Sequence, residues 1–78
     1  MINSKYSAIL VFSTGHAIRL EHVLNQQKIE TKLIPVPRYL SSTCGNCVRI
    51  KTTDTEAASK IIEKNRIEIQ GIKELQEY

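Results

Sequence analysis

The residues most able to do chemistry are two thiols, Cys44 and Cys47, in the run Ser41-Ser42-Thr43-Cys44-Gly45-Asn46-Cys47. A Cys-x-x-Cys spacing suits a dithiol redox centre, half of a metal site, or two unrelated core side chains. Thioredoxin-type pairs open a helix, whose dipole activates the thiol. This pair leads into a strand, which weakens that reading. Zinc normally takes four ligands. The only histidines are His16 and His22. Six residues apart on one helix, they point roughly 120° from each other, so no metal site is expected, and no cofactor.

Cys44 has the more suggestive setting. Ser41, Ser42 and Thr43 bring three hydroxyls before it, and Gly45 after it permits an unusual backbone angle. Consecutive main-chain N–H groups in such a turn can cradle an anion, a thiolate or persulfide included. Arg49 and Arg38 are the cations that could add positive charge. An electropositive, partly exposed setting makes a cysteine reactive. His16, which follows Thr14-Gly15, could serve as an acid or base if the Cys44 loop folds over that end of the first strand. The plain alternatives are small hydrophobic cysteines and a cap-associated histidine.

The elements that must position these groups follow from periodicity. Residues 7–12 are a nearly continuous apolar run, suited to a central strand. Ala17, Leu20 and Leu24, flanked by Val23, mark an amphipathic helix over 16–28. Residues 31–36 read as a strand. Pro35 and Pro37 cannot donate to a ladder and so predict a sheet edge. The connector 37–46 is long for a hairpin. Residues 47–52 alternate, with Val48 and Ile50 on one face and Cys47, Arg49 and Lys51 on the other. Thr53-Asp54-Thr55-Glu56 fits a capping box. Ala58, Ile61, Ile62 and Asn65 mark the inner face of the helix that follows. A last strand over 67–75 shifts its apolar phase near Gly71, which predicts a bulge.

The expected class is α+β: a ferredoxin-like βαββαβ two-layer sandwich, with a four-stranded antiparallel sheet and both helices on one face. The 78 residues are enough for a single domain, 1–78, with its core over about 6–75. Aromatics are 5%, so the core must be aliphatic. The net charge of +3 is spread along the chain without a dense basic block, which argues against nucleic acid as a partner. The longest apolar run is too short for a membrane span. With no signal-like segment, the expected location is the cytoplasm, where free thiols are ordinary. An edge strand and an open sheet face suit a homodimer.

At Phe12-Ser13-Thr14, at Ile34-Pro35-Val36-Pro37-Arg38, and at Ser41-Ser42-Thr43-Cys44-Gly45 followed by Arg49, the chain resembles the small bacterial domains known as putative selenium/sulfur carrier protein-like. The resemblance runs from about Tyr6 to Leu75, and helix residues Ala17, Arg19 and Glu21 fit it. It implies that Cys44 accepts sulfur or selenium as a persulfide or selenosulfide and passes it on. The implied partners are donor and acceptor proteins, and the implied role is that of a carrier or accessory protein rather than a true enzyme. Cys47 is then a resolving thiol or a core side chain. The non-carrier alternatives are a binding or dimerisation module and a dithiol redox protein.

Overall fold

The computed structural model describes residues 5–40 and 44–75. Four strands and two helices follow in the order β1 (Tyr6–Leu10), α1 (Thr14–Gln26), β2 (Lys32–Pro35), β3 (Asn46–Lys51), α2 (Thr55–Lys64) and β4 (Gly71–Glu74), with a 3-10 turn at Thr52–Asp54. The strands form one antiparallel sheet in the order β2-β3-β1-β4. The apolar run of β1 is central, and the proline-bearing β2 lies at an edge. Among the described residues, no helix is long and apolar enough to cross a membrane.

Side chains alternate across a strand, and here the alternation separates two clusters. Ile9 and Val11 of the first strand segment and Val48 and Ile50 of β3 face the helices. There they pack with Ala17, Leu20, Leu24, Ala58 and Ile62. Full burial of such a side chain contributes about 1.5–3 kcal/mol, so this layer supplies most of the stability. Ser7 is the one buried polar residue among these, and its hydroxyl meets Thr52 Oγ1 at 3.0 Å. The other face carries Ala8, Leu10, Ile34, Cys47 and Leu75, overlain by Tyr6, Val36 and Leu40.

Both helices stop in the same way. Lys28 and Arg66 take left-handed angles, φ 64° and 53°. Each is followed by an isoleucine whose N–H reaches back to the helix: Ile29 to Leu24 O at 3.0 Å, Ile67 to Ile62 O at 3.1 Å. These are Schellman closures, and in each the isoleucine is buried near the residue it bonds.

Four local expectations are corrected. Phe12 is 47% exposed and lies beyond β1, because the chain turns after Val11 to start α1. The capping box over Thr53–Glu56 does not form: a 3-10 turn takes its place, Asp54 caps α2 without a side-chain bond, and Thr55 Oγ1 donates to Thr52 O at 2.7 Å. Asn65 is not on the inner face of α2. It is the exposed C-cap, and its Nδ2 donates to Ile61 O. Finally, residues 67–70 are not a strand and Gly71 is not a bulge. Gly71 pairs regularly with Leu10, and the phase shift occurs just before it, at a bend where Gln70 N donates to Leu10 O at 2.6 Å. Past Leu10 the neighbouring strand has ended, so 67–69 have no ladder to join.

Candidate functional site

The end of the sheet where β1 hands over to α1 gathers the sequence's chemical features. Ser13 is extended (φ −154°, ψ 161°) and caps α1 by accepting from His16 N at 3.2 Å. A small hydroxyl residue at this position satisfies one of the helix's orphan amides. The same Ser13 Oγ lies 2.8 Å from His16 Nδ1. His16 is therefore tied into the cap, half-buried.

Cys44 approaches from the neighbouring strand, on the helix side of the sheet. Its Sγ lies 3.7 Å from Thr14 Oγ1, on the first residue of α1. The antiparallel pairing explains the meeting. Leu10 pairs with Cys47, so carrying the same register three residues further brings the Ser13 region opposite Cys44. Cys44 thus stands by a helix start after all, with α1 supplying it through space rather than along the chain. The first amides of a helix carry partial positive charge and favour a nearby anion. Thr14 is the neighbour that reading the sequence did not single out. Its signal was present in Ser13-Thr14-Gly15, but only the strand register joins it to residue 44.

The thiol is not held out to solvent. Cys44 is 6% exposed and packs with the helix-side cluster. The expectation of a partly exposed sulfur is corrected on that point. Gly45 does not use a glycine-only angle either: no glycine has positive φ. An added Cβ at Gly45 would meet nothing within 4 Å. The chain bends there, and Gly45 O accepts from Val36 N at 2.9 Å just beyond the β2–β3 ladder.

Cys47 has a different environment. It is fully buried in the cluster on the helix-free face, with Leu10 and Ile34 as ladder partners. Desolvation first, and the negative charge of Cys44 second, push its thiol up from the ordinary 9.0 to about 11. Both cysteines are free.

Of the two arginines, Arg49 is turned away from Cys44. Arg49 is on the helix-free face with its guanidinium carbon 4.2 Å from the centre of the Tyr6 ring. That is five residues up the strand from Cys44, or about 16 Å. Arg38 is exposed in the turn closed by Leu40 N donating to Pro37 O, whose flanking Val36 and Leu40 cover the Cys47 face. Ser41, Ser42 and Thr43 lie outside the described residues. Among the described residues, no three His, Cys, Asp or Glu side chains gather in a way that would hold a metal ion.

No curated protein and no solved structure matches this chain. A family model does. Across residues 6–74, which include β1, Cys44 and all of β3, the match is to the family described as putative Se/S carrier protein-like, and the chain belongs to that family.

Proposed function

We propose that this is a ferredoxin-like domain that carries a sulfur or selenium atom on Cys44. The βαββαβ succession and the β2-β3-β1-β4 strand order support the fold assignment. Family membership supports the cargo. The observation that carries the choice of residue is the nearness of Cys44 Sγ to the start of α1 and to Thr14 Oγ1.

The chemistry is exchange at sulfur. The Cys44 thiolate attacks the outer sulfur of a donor persulfide. A new S–S bond forms, the donor's S–S bond breaks, and the donor leaves as its thiolate. No oxidant is consumed. The same transfer with selenium leaves Cys44 bearing a terminal selenide. In either case the cargo atom is anionic near neutral pH, which suits a helix N-terminus and a hydroxyl donor. The donor and acceptor are proteins, and the reading places the chain in the cytoplasm, where its thiols stay reduced.

Burial imposes a condition on loading. A sulfur only 6% exposed meets a donor when its cover opens, so the rate of loading follows a local opening equilibrium. Cys47 is read as a packing residue: it is fully buried and its thiol is pushed up to about 11, so its thiolate is scarce. That also weakens the dithiol reading, since resolution needs a thiolate.

Intact mass after incubation with a persulfide donor tests the proposal. The wild-type chain is expected to gain one sulfur atom and a Cys44→Ser chain none. Equal gain by both rejects Cys44 as the carrier.

A further inference from the structure

The sulfur of Cys44 is 6% exposed and belongs to the cluster that holds Ala17, Leu20 and Val48. The residue is anchored on its C-terminal side. Gly45 O accepts from Val36 N at 2.9 Å, and the β2–β3 ladder begins at the next residue, where Asn46 pairs with Pro35. Facing it, α1 starts under the Ser13 cap. The cleft lined by Gln27, Lys60, Ile61, Lys64 and Asn65 lies toward the C-terminal ends of the two helices and gives Cys44 no space. Thr14 leads out: it is exposed, and its Oγ1 is 3.7 Å from Cys44 Sγ.

A carried atom changes both the size and the charge of this side chain. The new S–S bond adds about 2 Å to its length, and the terminal atom is anionic near neutral pH. An interior packed to crystal density has few gaps for such an atom, and apolar surroundings disfavour an unpaired charge. The bare thiol suits the buried place; the loaded sulfur does not. One further bond directed at Thr14 spans more than half of the 3.7 Å that separates the sulfur from an exposed side chain.

We infer, resting on the carrier reading of Cys44, that loading turns the sulfur outward past Thr14: the unloaded thiol is shut in, and the carried sulfur or selenium stands at the surface beside the start of α1. The fold thereby distinguishes a loaded carrier from an unloaded one. An acceptor reaches the cargo atom without opening the domain, and an unloaded carrier shows it nothing to attack. Because the fold accommodates the bare thiol better than the loaded one, the same preference acts on the exchange: it resists loading and favours release. In that release the acceptor's thiolate attacks the terminal sulfur, the S–S bond at Cys44 breaks, and Cys44 leaves as a thiolate that a proton from solvent restores to the thiol. No oxidant is consumed.

The test uses the full chain with a methylthio group as the stand-in for cargo. The group is placed on Cys44 with methyl methanethiosulfonate in urea and the chain is refolded, in a Cys47→Ala background or, if that folds poorly, Cys47→Val. This needs no protein donor, so failure of the inference and failure of sulfur loading are separate results. Unloaded Cys44 of the native chain is expected to react with iodoacetamide at least about tenfold more slowly than in urea. A small thiol should remove the methylthio group at nearly the same rate from the native and the unfolded chain. The adduct should lower the urea midpoint by about 1 M, with NMR shift changes centred on Thr14 and not on Leu10 or Ile34 of the opposite face. Native alkylation as fast as in urea would overturn the inference by leaving nothing shut in. A methylthio group protected as the thiol is, a midpoint unchanged or raised, or shifts centred on the opposite face would overturn it by showing that the core makes room.

Discussion

Cys44 and Cys47 are three residues apart, yet they belong to different layers of the molecule. Cys44 packs with the helix-side cluster beside the start of α1, and Cys47 with the cluster on the bare face. An extended chain sends residues i and i+3 to opposite faces, so a Cys-x-x-Cys entering a strand divides its thiols where one opening a helix would gather them. The difference teaches that spacing alone does not define a redox pair: the backbone conformation beneath it does. It also accounts for the two roles proposed, one sulfur near a polar helix start and the other among apolar side chains.

The comparison between layers can be tested first by removing volume. Among the described residues, the helix-side cluster has twelve buried members and the cluster on the helix-free face five, so a hole in the first has more neighbours to deprive. Leu20→Ala is expected to cost about 4 kcal/mol and Leu10→Ala about 2 kcal/mol, read from urea unfolding. Equal costs would mean that the bare face is as well packed as the helical one.

A pH series sharpens the comparison between the thiols. The fold favours the protonated form of Cys47, because burial raises its value from 9.0 to about 11. That contribution is whole below about pH 9 and is lost as pH rises through about 11. Up to about 2 kcal/mol of stability should disappear across this window. A Cys47→Ala chain, compared with wild type at each pH, should lack that part of the decline. Parallel curves would remove the burial argument for Cys47.

Serine substitutions separate the two sites by a smaller margin. Cys47→Ser puts a hydroxyl among Leu10, Ile34 and Ala8, at a cost of about 1–3 kcal/mol. At Cys44 the same change leaves the hydroxyl near Thr14 Oγ1, so a loss below about 1 kcal/mol is expected. The smallest effect belongs to Gly45→Ala. With no positive φ and open space around the added Cβ, it should be neutral or stabilising by about 0.5 kcal/mol; a marked loss would reveal a strained turn beside Cys44.

The elements themselves were largely legible in the sequence. Ala17, Leu20 and Leu24 marked α1 because a 3.6-residue period has one structural meaning, and Pro35 with Pro37 marked an edge because a missing N–H cannot serve a central strand. The alternation of Cys47, Val48, Arg49 and Ile50 likewise named both faces of β3. What failed was local choice between near-equal options: the capping box against a 3-10 turn at Thr52–Asp54, and a bulge at Gly71 against a bend at Gln70. In the second case the end of β1 decided, and β1 is distant in sequence. The site was half legible. Cys44 and His16 stood out by residue type. The meeting of Cys44 with Thr14, thirty residues away, is a product of strand register, and the burial of Cys44 is a product of helix packing. Neither has a local signature. Arg49 was placed on the right face of its strand, and that face is the one Cys44 does not share.

The most direct test of the account is site-resolved mass spectrometry of the wild-type chain after loading from a persulfide donor, with fragment ions used to locate the added sulfur. The account predicts the added atom on Cys44 and an unmodified Cys47. Sulfur located on Cys47, or a Cys44–Cys47 disulfide as the main product, would contradict it.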